Sequence, residues 1–355
     1  MIDSGTTGTL RHLARWRAQG HKVVLASVVR SWGSAPRGPG ALMAVCDNAD
    51  FAGSVSGGCV EVAVIEEARG AMRMGRPRVV EYGVSDEDAW SVGLPCGGQI
   101  QVHLDPVGNG MLEESVVQEL ITAREGGEAV VLATVLSSGL ATLWRPNERT
   151  ATSERNATAV AGHAAYDEPA REAAYRSILD DVTTVVELHG DEVLLRPHNP
   201  PVRVIVVGAV HLTQALVPVI EAAGFAAVVV DPRQAFATPE RFPGVRPVVA
   251  WPGEAMHLLR PDHRTAVVVV SHDAKLDDPA LVSALSSPAF YVGALGSRRS
   301  HARRLERLKS EGVAAEALDR IHAPVGLDIG ARTPGEIAVA VVAEIVAALR
   351  SATRR

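Results

Sequence analysis

Between Val202 and Asp231 the chain reads VRVIVVGAVHLTQALVPVIEAAGFAAVVVD: a continuous apolar run, a segment of helical period and a second apolar run. Strands that are apolar at every residue bury both faces, which requires a parallel sheet with helices on either side. The pattern repeats toward the C-terminus. Strands are predicted over 202–207, 226–230, 266–271 and 289–292. Helices are predicted over 212–223, 279–286, 299–311 and 334–349, with Asp278 and Pro279 as N-cap and first residue of the second. The fold class is therefore α/β, with a Rossmann-like, doubly wound parallel sheet in the C-terminal half.

The first half is organised differently, with short apolar runs between Gly-rich turns. Strands are predicted over 22–30, 41–46, 78–82, 99–104, 183–188 and 192–196. Helices are predicted over 12–18, 60–74 and 113–124, and residues 128–136 and 140–144 form a hairpin across Ser137-Ser138-Gly139. Residues 146–169 have no sustained period and read as a loop or insertion. Pro197, Pro200 and Pro201 make a stiff linker, which divides the 355 residues into domains 1–198 and 199–355. An apolar fraction of 47% excludes disorder for most of the chain. A net charge of −6 with only 4% aromatic residues argues against nucleic acid as a partner. Cys46, Cys59 and Cys96 are too few for a disulfide framework, which points to a reducing, cytoplasmic location. Neither a signal peptide nor a membrane-spanning run is visible, so no membrane association is expected.

Several segments carry chemistry. The turn at Gly208 opens a βαβ unit whose helix N-terminus suits a phosphate, and Asp231 ends the second strand where an acid can accept from a ribose hydroxyl. Val210 and Thr213 stand where a dinucleotide fingerprint has glycines, so a tight turn without a ligand is an equal reading. In YVGALGSRR (291–299), Ser297 caps a helix that starts at Arg298 and Arg299, a second candidate for an anion. Arg303, Arg304 and Arg307 read as a solvated face balanced by Glu306 and Glu311. The segment APVGLDIGA (323–331) is a Gly-punctuated loop with Asp328 as its one charge. In the first half, GSVSGGCVE (53–61) sets Cys59 at a helix start beside Ser56, Gly57 and Gly58. VGLPCGGQI (92–100) sets Cys96 beside Gly97 and Gly98, and Arg37 in SWGSAPRGPGALM is a candidate anion contact. Paired glycines permit close approach of a ligand, and thiolates suit soft metals. The bland reading is that both cysteines are packing residues in tight turns, as Cys46 is in its apolar strand.

Taken together, these segments resemble the xanthine dehydrogenase accessory (XdhC/CoxI) family. The resemblance rests on GSAPRGPGALM, GSVSGGCVE, LPCGGQI, DPRQAFATPERFP, SHDAKLDDPAL, YVGALGSRRSHARRL and APVGLDIGARTPGEIAVAVVAEI, in the family's order. It implies a family-specific α/β N-terminal domain followed by a Rossmann-like domain. It also implies a chaperone, not a turnover enzyme. Such a chaperone binds the molybdenum cofactor (molybdopterin or its dinucleotide form), protects it, supports its sulfuration and delivers it to a molybdenum hydroxylase. A cysteine desulfurase as sulfur donor and a xanthine or carbon monoxide dehydrogenase as client are the implied partners. A homodimer is expected on a separate ground, since Rossmann-like proteins of this size commonly form one. Cys96 matches the position expected to contact the metal, with Cys59 second. Gly57, Gly58, Gly97 and Gly98 would hold the pterin edge, and Ser297, Arg298 and Arg299 the phosphate end. His211 matches the last residue of the family's GAGH turn, whose middle glycine is Val210 here. That departure makes NAD(P) an unfavoured ligand. An NAD(P)-dependent oxidoreductase is the alternative reading, and a persulfide-bearing sulfur carrier a third.

Overall fold

The computed structural model describes residues 5–83, 98–108, 111–145 and 167–352, which fall into two compact units, Met1–Pro200 and Pro201–Arg355. In the first unit the order is α1 (Thr6–Ala18), β1 (Val23–Trp32), β2 (Leu42–Cys46), β3 (Phe51–Gly53), α2 (Glu61–Met74), β4 (Arg78–Tyr82) and β5 (Gln99–Pro106). Then come α3 (Glu114–Glu125), β6 (Val130–Val135), β7 (Ala141–Trp144), α4 (Glu168–Asp180), β8 (Thr184–Leu188) and β9 (Asp191–His198). Two antiparallel sheets result, ordered β3-β2-β1-β5-β4 and β7-β6-β9-β8.

Side chains alternate across a strand, and β1 over residues 23–29 and all of β6 are buried on both faces. Val24, Ala26 and Val28 of β1 pack with Val64, Ala68 and Ala71 of α2. Val23 and Leu25 point the other way, into a core shared with α1, α3 and with Val130 and Leu132 of β6. Val131, Ala133 and Val135 then pack against Ala170, Ala174 and Ile178 of α4. Buried within this unit are also His103, Asp105, Arg196 and His198. Burial, reinforced by the Arg196 charge, lowers His103 to about 4 and keeps it neutral.

Helix α4 begins inside the segment read from sequence as a loop. Asp167 accepts from Ala170 N–H (3.2 Å) and a proline stands in the first turn, so the helix is capped before its apolar stripe starts. The rest of that segment, residues 146–166, lies outside the described residues.

The second unit runs β10 (Arg203–Val207), α5 (His211–Ala222), β11 (Ala226–Val230), α6 (Pro252–Leu259), β12 (Thr265–Val269), α7 (Ala274–Leu285) and β13 (Tyr291–Ala294). It ends with α8 (Arg298–Ser310), α9 (Ala315–Leu318), β14 (Ile321–His322) and α10 (Pro334–Ala352). All five strands are parallel, ordered β11-β10-β12-β13-β14. This is the Rossmann-like, doubly wound sheet that the apolar runs require. Val204 and Val206 face α5 and α10, while Ile205 and Val207 face α6 and α7. The order reverses at β10, so a crevice opens beyond the carboxyl ends of β10 and β12. Helix α7 starts earlier than its sequence suggests. Its N-cap is Asp273, which accepts from Lys275 N–H (3.0 Å), and Pro279 lies inside the helix. Asp278 is instead buried and held in a two-pronged ion pair with Arg307 (2.5 and 3.0 Å). Among the described residues, no helix is long and apolar enough to cross a membrane.

Candidate functional site

In the first unit, the segment between β3 and α2 wraps around the side chain of Glu61. One carboxylate oxygen accepts from the Ser54 hydroxyl (2.6 Å) and from the N–H groups of Val55, Ser56 and Gly57 (3.1, 2.9 and 3.2 Å). The other accepts from the Ser56 hydroxyl (2.6 Å) and Gly58 N–H (2.9 Å). Burial opposes the charge, but these donors outweigh it and hold the carboxyl down at about 2. Ser56 Oγ in turn accepts from the N–H groups of Cys59 (3.0 Å) and Val60 (3.1 Å). Sequence reasoning treated the amides of Gly57 and Gly58 as free for a ligand and assigned Glu61 no role. The structure commits them to Glu61. The readable signal was a Glu three residues beyond Gly58 at a helix start, the spacing of a capping box. Positive φ values of 89° and 122° at Gly57 and Gly58 let the loop turn around the carboxylate. They leave Gly57, Gly58 and Cys59 exposed at its rim.

Two further sequence motifs meet this loop. Pro36, next to Arg37, lies beside Gly57: a Cβ on Gly57 would be 4.0 Å from the Pro36 ring. Gly98 lies against the backbone of Ser34 and Ala35, where a Cβ would be 2.5 Å from Ala35 N. Three loops distant in sequence thus converge, and at Gly98 the contact leaves no room for a side chain. Arg37 is exposed, with no ion-pair partner among the described residues. Cys96 and Gly97 lie outside the described residues.

Cys46 is buried, as its apolar strand suggests. Its thiol donates to Asp47 (3.6 Å), which also bonds His21 Nδ1 (2.7 Å) and Lys22 N–H (3.0 Å). His21, Cys46 and Asp47 bring their donor atoms within 4.8 Å of one another, and these hydrogen bonds account for the grouping.

In the second unit, Gly208 has φ of 112°, and a Cβ there would meet Ser271 at 2.9–3.0 Å. The turn is closed by Thr213, whose hydroxyl donates to Gly208 O. His211 is exposed as the first residue of α5. Asp231 is fully buried, and both its oxygens are engaged. They accept from Ala209 N–H (2.7 Å), from Arg233 N–H (2.9 Å) and from the Arg233 guanidinium (2.9 and 2.7 Å). Burial raises this carboxyl, yet those bonds outweigh it and keep it below the usual range. In a dinucleotide-binding unit the same acid accepts from ribose hydroxyls; here it braces the turn.

Farther along the carboxyl edge, Ser297 caps α8 by accepting from Ser300 N–H (3.2 Å), with Arg298 and Arg299 exposed in the first turn. Arg304 does not lie on a solvated face. It is buried, donates to Leu295 O (2.9 Å) and lies 3.5 Å from the buried Asp277. Asp277 accepts from the Ser271 hydroxyl (2.6 Å), so the ends of β12 and β13 are tied together through a charged pair that sequence reasoning missed. A pocket of about 320 Å³ opens between Leu295 and Arg298, the loop 324–331, and Ile337 and Ala340 of α10.

Similarity to known proteins extends over both units. Residues 204–345 match the XdhC Rossmann domain, and residues 16–83 match the XdhC and CoxI family. The chain is 30% identical over 337 residues to the molybdenum cofactor insertion chaperone PaoD of Escherichia coli, covering 95% of this chain and 86% of that protein. It is 28% identical over 331 residues to a probable xanthine dehydrogenase subunit of Bacillus subtilis, covering 92% of each. The crystal structure of a xanthine dehydrogenase from Bacillus halodurans superposes with a TM-score of 0.70 at 24% identity, over 97% of this chain and 96% of that one. That last likeness concerns the fold alone.

Proposed function

This chain belongs to the XdhC and CoxI family, and from that membership we propose that it is a chaperone of the molybdenum cofactor. In this reading the cofactor, as molybdopterin or its dinucleotide form, is cargo. The chain shields it, keeps it available for sulfuration by a cysteine desulfurase, and passes it to a molybdenum hydroxylase of the xanthine or carbon monoxide dehydrogenase type. The observation that carries the reading is the meeting of three glycine-bearing loops at Gly57, Pro36 and Gly98. That patch has an exposed thiol at Cys59 and an exposed guanidinium at Arg37.

Each group has a role that its chemistry supports. Cys96, with Cys59 as second donor, offers sulfur to a soft metal centre. Gly57 and Gly58, exposed at the rim, admit a flat ring close to the backbone because they carry no side chain, while Gly98 lets its loop pack against Ser34 and Ala35. Arg37 pairs with the phosphate of the cargo. Ser56 and Glu61 shape the loop from behind and do not touch the cargo.

The test is purification without air from cells that make the cofactor, followed by measurement of molybdenum and of oxidised-pterin fluorescence. The wild type is expected to carry both, Cys96→Ala to lose most of the molybdenum, and Cys59→Ala to lose less. Mass spectrometry of the wild type separates this reading from that of a sulfur carrier, which would bear a persulfide on Cys96. A wild-type protein that carries neither molybdenum nor pterin would overturn the reading.

A further inference from the structure

Two motifs singled out in the sequence, YVGALGSRR and APVGLDIGA, meet in the second unit around the pocket of about 320 Å³. That volume lies at the small end of ligand sites, enough for one fused ring with a phosphate. Its walls include Leu295, Val325, Leu327 and Ile337, which suit a flat ring face. Two charges also line it, Arg298 and Asp328. They are of opposite sign, yet they form no ion pair with each other, and neither has a partner among the described residues. Both are exposed at the pocket, so each is open to a ligand that carries the complementary group.

The pocket is held in shape from behind. Glu344 of α10 accepts from Tyr291 Oη (2.6 Å) and from Gly326 N–H (2.7 Å), and its other oxygen lies 3.1 Å from His322 Nδ1. One carboxylate therefore ties β13, β14 and the loop to the same helix. Gly326 has φ of 97°, and a Cβ there would come within 3.1 Å of Val341 N, so the loop lies directly on α10. Leu327 N–H donates to Ala340 O (3.2 Å). These bonds form the wall without any ligand.

An ionised carboxylate only accepts hydrogen bonds, so a ring edge that meets Asp328 must present N–H donors side by side. An amine next to a ring N–H, the 2-amino-4-oxopyrimidine edge shared by guanine and pterins, does this, whereas the adenine edge presents an amine without a neighbouring ring N–H. Arg298 supplies a fixed fork for a phosphate, at the positive end of the α8 dipole. We propose that this pocket binds a phosphorylated heterocycle, with Asp328 accepting from its 2-amino-4-oxopyrimidine edge and Arg298 holding its phosphate. The assignment concerns the second unit and stands without the cysteine-based reading above. Where both hold, the pterin of the cargo has the edge required.

Equilibrium titration of the full-length chain with GMP, guanosine, IMP, AMP and 6-carboxypterin tests it. GMP or 6-carboxypterin is expected to bind about tenfold or more tightly than IMP and AMP, as a charge-assisted hydrogen bond warrants. Whichever of the two binds more tightly identifies a nucleotide or a pterin as the source. Asp328→Asn should erase the preference of GMP over IMP, and Arg298→Ala should erase the preference of GMP over guanosine. Both residues are exposed, and unchanged thermal unfolding of the variants confirms that they fold. The assignment is overturned if neither GMP nor 6-carboxypterin binds, if AMP matches them, or if Asp328→Asn leaves the GMP-to-IMP ratio unchanged. Molybdenum retention by the same preparations reports on the chaperone reading separately.

Discussion

Glu61 gathers six donors from its own loop, and that alters what the neighbouring glycines are for. Their amides do not wait for an anion, because the chain supplies one. What they present outward is bare backbone, beside which the Cys59 thiol is exposed. Gly98 serves differently: it is buried, and a methyl group 2.5 Å from Ala35 N would push apart the loops that meet there. The Glu61 charge has a pH signature. Its folded pKa is depressed from 4.5 to about 2, so its stabilisation is complete above 4.5 and is lost as pH falls toward 2. A shift of that size corresponds to about 3 kcal/mol. Glu61→Gln keeps the shape but aims an NH₂ group at backbone donors. We expect it to lower stability at neutral pH by about 2–3 kcal/mol in urea unfolding. The gap to the wild type should be constant above pH 4.5 and narrow below it. A gap of the same size at pH 3 would mean that the charge is not what holds the loop.

Among the elements, the parallel strands of the second unit were the most legible, because residues such as Val204 to Val207 are apolar on both faces and only one environment suits them. The beginnings of helices were less so. The Asp278-Pro279 pair has the form of a helix start, but Asp273 caps first and Pro279 is accommodated within α7. Asp278 was misread because its partner, Arg307, belongs to another helix. Helix α4 was hidden because its cap, Asp167, sits at the edge of a segment without period. Arg304 was read as solvated for a related reason. Nothing local distinguishes a surface arginine from one whose partner, Asp277, reaches it from a different element. At the candidate site, the motifs themselves were legible, while the use of the Gly57 and Gly58 amides was not, since it depends on where one side chain turns. The Arg304–Asp277 pair also makes a prediction about elements. Removing one member leaves a buried charge, so Arg304→Met should destabilise the protein by about 3–5 kcal/mol. Pairing it with Asp277→Leu should recover part of that loss, because no uncompensated charge remains, although Ser271 and Leu295 O lose their partners. Urea unfolding of the two single variants and the double variant measures the coupling, and simple additivity would show that the two side chains act independently.

For the whole molecule, the consequential fact is that each unit closes its own core. The apolar clusters of the first unit draw on its two antiparallel sheets and four helices, and those of the second on one parallel sheet and the helices around it. The two candidate sites are built in different ways. One is an exposed, thiol-bearing patch where glycine loops meet; the other is a preformed pocket with a carboxylate and a guanidinium. Thiol and metal form strong, pH-dependent bonds, whereas an exposed Arg or Asp contact contributes far less and weakens with salt. If each unit holds its ligand by its own means, substitutions should sort by unit. Cys96→Ala is expected to release molybdenum and leave GMP or 6-carboxypterin affinity within about twofold of wild type, the scatter of distant, independent sites. Asp328→Asn is expected to weaken the ring ligand by about tenfold, whatever it does to molybdenum. Raising the salt concentration should weaken the ring ligand and leave molybdenum retention nearly unchanged. Titrations of the four combinations of these two variants, each paired with a molybdenum assay, make the measurement. If Cys96→Ala abolished ring binding in protein that still unfolds at the wild-type temperature, the two sites could not be independent.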